Sequence, residues 1–154
     1  MDDSTARSTR ETAALERMAR LVRRASQDLD RSIAACLGES AVARWHVLTT
    51  VTGGAGVPMS QLGDATLLSG ASLTRLIDAM IADNLVHRKV DDTDRRRVLV
   101  FPTRRGQVAY RGMCEAISSS GLGALATDAR LDRSLTALVD RLHEVDAPGS
   151  IVAR

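Results

Sequence analysis

Seven cations and three carboxylates share the stretch from Val86 to Arg105: Arg88, Lys89, Arg95, Arg96, Arg97, Arg104 and Arg105 against Asp91, Asp92 and Asp94. That stretch is +4, in a chain whose formal charge is only +2. Guanidinium groups clustered in this way suit a polyanion, because each planar fork can grip a phosphate through two N–H groups. The plain alternative is a solvated charged turn. Just upstream lies Ser69-Gly70-Ala71-Ser72-Leu73-Thr74-Arg75, where short polar side chains and one cation interrupt an apolar repeat. A helix with a polar front, joined directly to a basic β-hairpin, has a common physical use. The helix fits the major groove of B-DNA, and the hairpin reaches the backbone or the minor groove beside it.

Other chemistry finds less support. Gly53-Gly54-Ala55-Gly56 has no following Lys-Ser/Thr, so it reads as a flexible link rather than a phosphate loop. No nucleophile elbow or His/carboxylate constellation is present, so no catalytic residue is assigned and an enzyme is not expected. His46, His87 and His143 lack partners at metal-ligand spacing, and Asp91, Asp92 and Asp94 lack the glycine and the closing acid of a calcium loop. No metal or cofactor is expected.

The elements that must position the basic stretch follow from periodicity. Leu73, Ile77, Met80 and Ile81 predict a helix with Ser69 as N-cap and Asn84 as a left-handed C′ residue. Val86–Val90 and Val98–Phe101 are short, β-branched and alternating, which predicts two strands around the tip at 91–97. Upstream, Val42, Trp45, Val47, Leu48 and Val51 predict an inward-facing helix from Ser40 to about Thr52. A short helix over about Met59 to Thr66 turns Leu62 and Ala65 to the core, with Pro58 where a capping hydroxyl is usual. This is a helix-turn-helix layout with the hairpin as its wing.

Outside this unit, Leu15, Met18, Val22, Ala25, Leu29, Ser32 and Cys36 recur every three or four residues, and Ile33 widens the stripe. They predict one long helix from Glu11 to about Gly38 with a coiled-coil-like seam. Thr103 is expected to cap a helix running to about Ala126, with a small-residue stripe of Ala109, Met113, Ala116, Ile117 and Ser120. Leu131, Leu135, Leu138, Leu142 and Val145 predict a last one. Seams at both ends suggest a homodimer built from the first and last helices; the alternative is a monomer whose end helices pack on each other. The expected organisation is a disordered 1–10, a dimerisation helix over 11–38, a winged helix-turn-helix lobe over 39–102, C-terminal dimerisation helices over 103–146 and a flexible tail over 147–154. The fold class is mainly α with a small antiparallel β-wing.

Composition narrows the partner. Aromatic residues make up 2% of the chain, namely Trp45, Phe101 and Tyr110. Single-strand and RNA binders stack bases on aromatic platforms, so double-stranded DNA is favoured. Two cysteines are too few for a disulfide framework, and the polar N-terminus has no apolar signal core. No stretch approaches the ~20 apolar residues of a membrane span. A cytoplasmic location without membrane association is expected.

Leu85-Val86-His87-Arg88, Asp94-Arg95-Arg96-Arg97-Val98-Leu99-Val100 and Thr103-Arg104-Arg105-Gly106 together resemble the MarR family of multiple-antibiotic-resistance-type regulators. The resemblance extends back through Ser69–Arg75 and covers about residues 11 to 146 in element order. Phe101-Pro102 and Pro58 depart from the family pattern, away from the readout. The resemblance implies a homodimeric winged-helix transcription factor, often a repressor, on a pseudo-palindromic operator. It places Ser69, Gly70, Ser72, Thr74 and Arg75 at the recognition helix and Asp94, Arg95, Arg96 and Arg97 at the wing. Arg96 would enter the minor groove, held by Asp94; a carboxylate that fixes the fork limits the entropy lost on insertion, and a narrow A·T-rich groove attracts the arginine. Arg95 and Arg97 are expected at phosphates or the strand face.

The resemblance also implies release by a small, often aromatic, acidic effector. Trp45, His46 and Met113 are the candidate effector residues, with core packing as the alternative for Trp45 and plain solvation for His46. Two further alternatives are a winged-helix module that binds protein rather than DNA and a cysteine-based redox sensor. Three consecutive arginines oppose the first. Cys36 near a helix C-terminus and Cys114 beside Glu115 oppose the second, because neither position favours a thiolate.

Overall fold

The computed structural model describes residues 3–146; the tail expected over 147–154 and the first two residues lie outside them. Seven helices and three strands are described: α1 (Asp3–Leu37), α2 (Val42–Val51), β1 (Val57–Pro58), α3 (Met59–Thr66), α4 (Gly70–Ala82), β2 (Val86–Val90), β3 (Val98–Pro102), α5 (Arg104–Ser118), α6 (Leu122–Ala126) and α7 (Ala129–Asp146). A short 3-10 turn, Glu39–Ala41, precedes α2. Two compact units part after Ala116, within α5.

In the first unit, α2, α3, α4 and the sheet enclose one core. Val47, Leu48, Val51, Leu62, Ile77, Met80 and Val100 are fully buried, and Leu73, Val57, Leu85 and Val86 nearly so. This agrees with the apolar repeats read for α2 and α4. Ala65 differs: it is exposed, because the eight-residue α3 presents only one face and Leu62 fills it.

α4 stops where Asn84 turns left-handed at φ 56°. Leu85 N–H then donates to Met80 O at 2.8 Å and Asn84 N–H to Ile81 O at 2.9 Å, the paired bonds that close a helix end with its orphan carbonyls satisfied. Leu85 is thereby pointed into the core and delivers the chain straight into β2.

The sheet has three antiparallel strands in the order β1-β3-β2. β1 was not expected: Val57 and Pro58 pair with Val100 and Leu99. A two-residue strand carries no alternation to read, and Pro58, which lacks an N–H, is admissible only because β1 is the edge.

α1 starts at Asp3, so residues 3–10 are helical rather than the disordered lead-in expected. An exposed i,i+4 ion pair, Arg7 with Glu11 at 3.0 Å, supports this extension. Gly38 (φ 88°) ends it. Of its apolar stripe only Ile33 is buried; Leu15, Met18, Val22 and Leu29 are exposed, as is Leu21 beside them.

In the second unit, the helix expected to reach Ala126 is instead broken. Ser120 accepts the Leu122 N–H on its hydroxyl and donates to Ile117 O, which turns the chain between α5 and α6. Asp128 caps α7 by accepting the Arg130 and Leu131 N–H groups at 2.9 and 3.1 Å. Leu131, Leu135, Val139, Leu142 and Val145 of α7 are exposed. Among the described residues no single helix is long and apolar enough to cross a membrane.

Candidate nucleic-acid interface

α4 opens with an unusual step. Ser69 holds the N-cap position with an extended backbone, but its hydroxyl makes no capping bond, contrary to the expectation. Gly70, next in line, takes φ 52°, which swings the first turn's N–H groups away from that hydroxyl. A side chain at Gly70 would meet only open space, so the glycine answers to the backbone angle and not to crowding. Leu67, just before, is also left-handed (φ 55°) and 83% exposed. Ser72, Thr74 and Arg75 are all exposed along α4. Arg75 Nη2 lies 3.4 Å from Ser72 Oγ, and the Thr74 hydroxyl donates to Gly70 O at 3.1 Å.

The wing is a regular hairpin, registered from Val86 opposite Pro102 to Val90 opposite Val98. Its tip is shaped by carboxylates acting on backbone. Asp91 Oδ1 accepts both the N–H and the hydroxyl of Thr93, at 2.9 and 2.7 Å. These two bonds, with the Arg97 guanidinium 3.9 Å from Oδ2, hold the Asp91 carboxyl below its ordinary range. Asp92 pairs with Lys89 at 2.7 Å.

Asp94 does not do what was expected of it. Its Oδ1 accepts the backbone N–H of Arg96 at 3.0 Å, not the guanidinium. At two residues' separation in a tight turn, the nearest donor to an aspartate is the main chain, and this local bond wins. The carboxylates at the tip are thus occupied by Thr93, Arg97, Lys89 and the Arg96 backbone. Among the described residues, the Arg95 and Arg96 guanidinium groups have no ion-pair partner, and both residues are exposed.

The wing's root is fixed by the Thr-x-x-Gly motif. The Thr103 hydroxyl accepts the Gly106 N–H at 2.9 Å and so caps α5, while it donates to Asn84 O at 2.6 Å. Thr103 N–H donates to Leu85 O at 3.0 Å. Gly106 is buried, and a Cβ there would lie 1.9 Å from the same Leu85 carbonyl oxygen. The motif is therefore a docking device: α5 approaches the chain leaving α4 so closely that only glycine fits.

The three candidate effector residues are not brought to one place. His46 Nε2 lies 3.2 Å from Asp30 Oδ1, so it is tied to α1 rather than simply solvated. It lines a hollow of about 310 Å³ with Leu29, Asp30, Glu39 and Val42; neither Trp45 nor Met113 does. Trp45 is half-buried, stacks at a tilt on His46 with centroids 5.0 Å apart, and leaves its indole N–H without a hydrogen-bond partner. Met113 packs on the core. Sequence periodicity passed over Tyr110, which also packs there; its hydrogen bond to Cys114, then burial, push the phenol above its usual range. Cys36 and Cys114 are half-buried free thiols. Among the described residues no three His, Cys, Asp or Glu side chains converge to hold a metal ion.

Residues 41–97, which span α2 to the wing tip, match the model of the MarR family. Over that segment the chain is similar to the MarR family. No curated protein sequence matches the chain. Solved structures do. Overoxidized AbfR bound to DNA superposes with a TM-score of 0.68 at 17% identity, over 90% of this chain and 98% of that one. A mutant of MarR from E. coli complexed with operator DNA gives 0.65 at 22% identity, over 84% and 95%. A MarR-family transcriptional regulator from Silicibacter pomeroyi gives 0.63 at 19% identity, over 86% and 90%. The likeness is one of fold, and it runs past the matched segment to nearly the whole MarR-type chain.

Proposed function

We propose that this chain is a sequence-specific regulator of transcription that binds double-stranded DNA as a homodimer on a pseudo-palindromic operator, and that it acts as a repressor. One observation carries the reading. At the wing tip every carboxylate is engaged with backbone, hydroxyl or another cation, and two adjacent arginines are left exposed without partners. With no carboxylate to neutralise them, these two cations give the tip a positive charge suited to phosphate or a minor groove. α4 supplies the second half, with Ser72, Thr74 and Arg75 exposed for base edges and Gly70 allowing close backbone approach. That AbfR and MarR structures of this fold hold DNA supports the same reading. No catalytic role is assigned.

The homodimer reading is supported by the exposed apolar residues along α1 and α7. Release by a small molecule is the regulation we propose for such a lobe, and the His46 hollow is a candidate place for it. Asp30 and Glu39 in its wall would repel an acidic effector and favour a neutral or cationic one.

Selection of bound fragments from random duplex DNA tests the reading directly. An enriched inverted repeat is the expected result. Absence of any enrichment, with the chain folded, would transfer the lobe to the class of winged helices that bind protein.

A further inference from the structure

We propose that the ion pair between Arg88 of β2 and Asp78 of α4 is a positioning device, which fixes the angle of the wing on the groove-reading helix so that both engage one stretch of duplex together. The inference rests on the DNA-binding reading above.

Arg88 Nη1 lies 2.7 Å from Asp78 Oδ1. Along β2, Val86, Arg88 and Val90 share one face of the sheet, since side chains alternate. Arg88 pairs in register with Val100, which is fully buried, so the arginine leaves from the core side of the sheet. It stands at the core's outer limit: Val86 behind it is buried and Val90 beyond it is exposed. Past Arg88 the hairpin's polar ties are all internal: Lys89 to Asp92, Asp91 to Thr93 and Arg97, Asp94 to the Arg96 backbone. Among the described residues no hydrogen bond or ion pair joins α4 to the hairpin beyond that point. The β1 edge pairs with β3 out to Leu99, opposite Lys89, and Arg88 is the hairpin's last tie to α4.

On α4, Asp78 follows Thr74 and Arg75 by four and three residues, on the same side of the helix. A lone carboxylate there would face the phosphates that Arg75 approaches. Arg88 cancels that charge and draws the strand onto the helix. A second ion pair, Arg44 to Asp83 at 2.6 Å, ties the end of α4 to α2. The recognition helix is therefore tied to the wing through Asp78 and to the body through Asp83 at its C-cap. A pair that only balanced charge needs no such placement; one that sets an angle does.

The test uses the full chain, a duplex selected by that chain, and the variants Arg88→Ala, Asp78→Ala and the double variant. The double variant restores the local charge balance but not the tie. Affinity at fixed salt, hydroxyl-radical footprints and melting temperature are read together. The double variant should bind about tenfold more weakly, the scale of a coupling lost between two contact sites. It should lose protection in the flanking minor groove and keep it in the central major groove, with its melting temperature little changed. Wild-type affinity and footprint in the double variant would overturn the proposal, because charge balance would then suffice. Joint loss of all protection and of melting temperature would overturn it too, because the pair would be an ordinary fold contact. Should the unaltered chain select no duplex, the DNA-binding reading itself falls and this inference falls with it.

Discussion

Arg96 shows how a residue's type can be legible while its partner is not. The run Asp94-Arg95-Arg96-Arg97 announces a basic turn, and spacing suggests that Asp94 holds the Arg96 guanidinium. The carboxylate instead takes the Arg96 N–H. Sequence carries the identities of donors and acceptors, but the choice between a main-chain and a side-chain donor depends on turn geometry. The functional expectation survives in altered form, with a preformed loop and a guanidinium that remains available. Arg96→Ala should weaken binding to the selected duplex by about 1–3 kcal/mol, the range of one lost groove contact. Titration at fixed salt measures it, and unchanged affinity would remove the wing from the interface. Gly106 is the opposite case. Its place in Thr-x-x-Gly is visible in the sequence, yet the cause, a carbonyl 1.9 Å from any Cβ, appears only in three dimensions. Gly106→Ala should cost roughly 2–3 kcal/mol through forced backbone shifts, read as a lowered denaturation midpoint. A neutral effect would mean that α5 can slide.

At the scale of elements, α2, α4 and the β2–β3 hairpin were readable because each carries a full period of apolar residues. The start of α1 and the end of α5 differ from the sequence reading, whereas the Gly38 stop and the Thr103 cap agree with it. Helix ends are decided by local bonds worth a few tenths of a kcal/mol each, such as Arg7 with Glu11, and these barely mark a sequence. β1 escaped for the related reason that two residues hold no pattern. The wing tip has a pH signature. Asp91's carboxyl is depressed in the folded state by Thr93, so its contribution is present above the ordinary carboxylate range and fades only as pH falls through the lowered value. The Thr93 amide resonance should therefore stay constant through neutral pH. On acidification it should shift later than those of free aspartates; a midpoint at or above their usual range would contradict the turn described here.

For the whole molecule, the seams of α1 and α7 are the largest expectation carried from sequence to proposal. Their spacing was read from the sequence, and the exposure of Leu15, Val22, Leu135 and Leu142 shows that they lack cover among the described residues. The chain should sediment as a dimer at micromolar concentration. Leu15→Glu or Leu142→Glu should weaken association by about 3 kcal/mol, since each dimer loses two buried leucines. A folded, monodisperse monomer in the unaltered protein would remove the seam argument. No common site for Trp45, His46 and Met113 was legible in the sequence: the Trp45 and His46 rings meet on α2, but only His46 lines the hollow, and Met113 packs on the core from α5.

The naked backbone meeting of Gly106 with Leu85 has one mechanical outcome. No compliant side chain cushions the joint between the first turn of α5 and the residue that launches β2. A displacement of that turn would bear directly on Leu85 and the strand it begins.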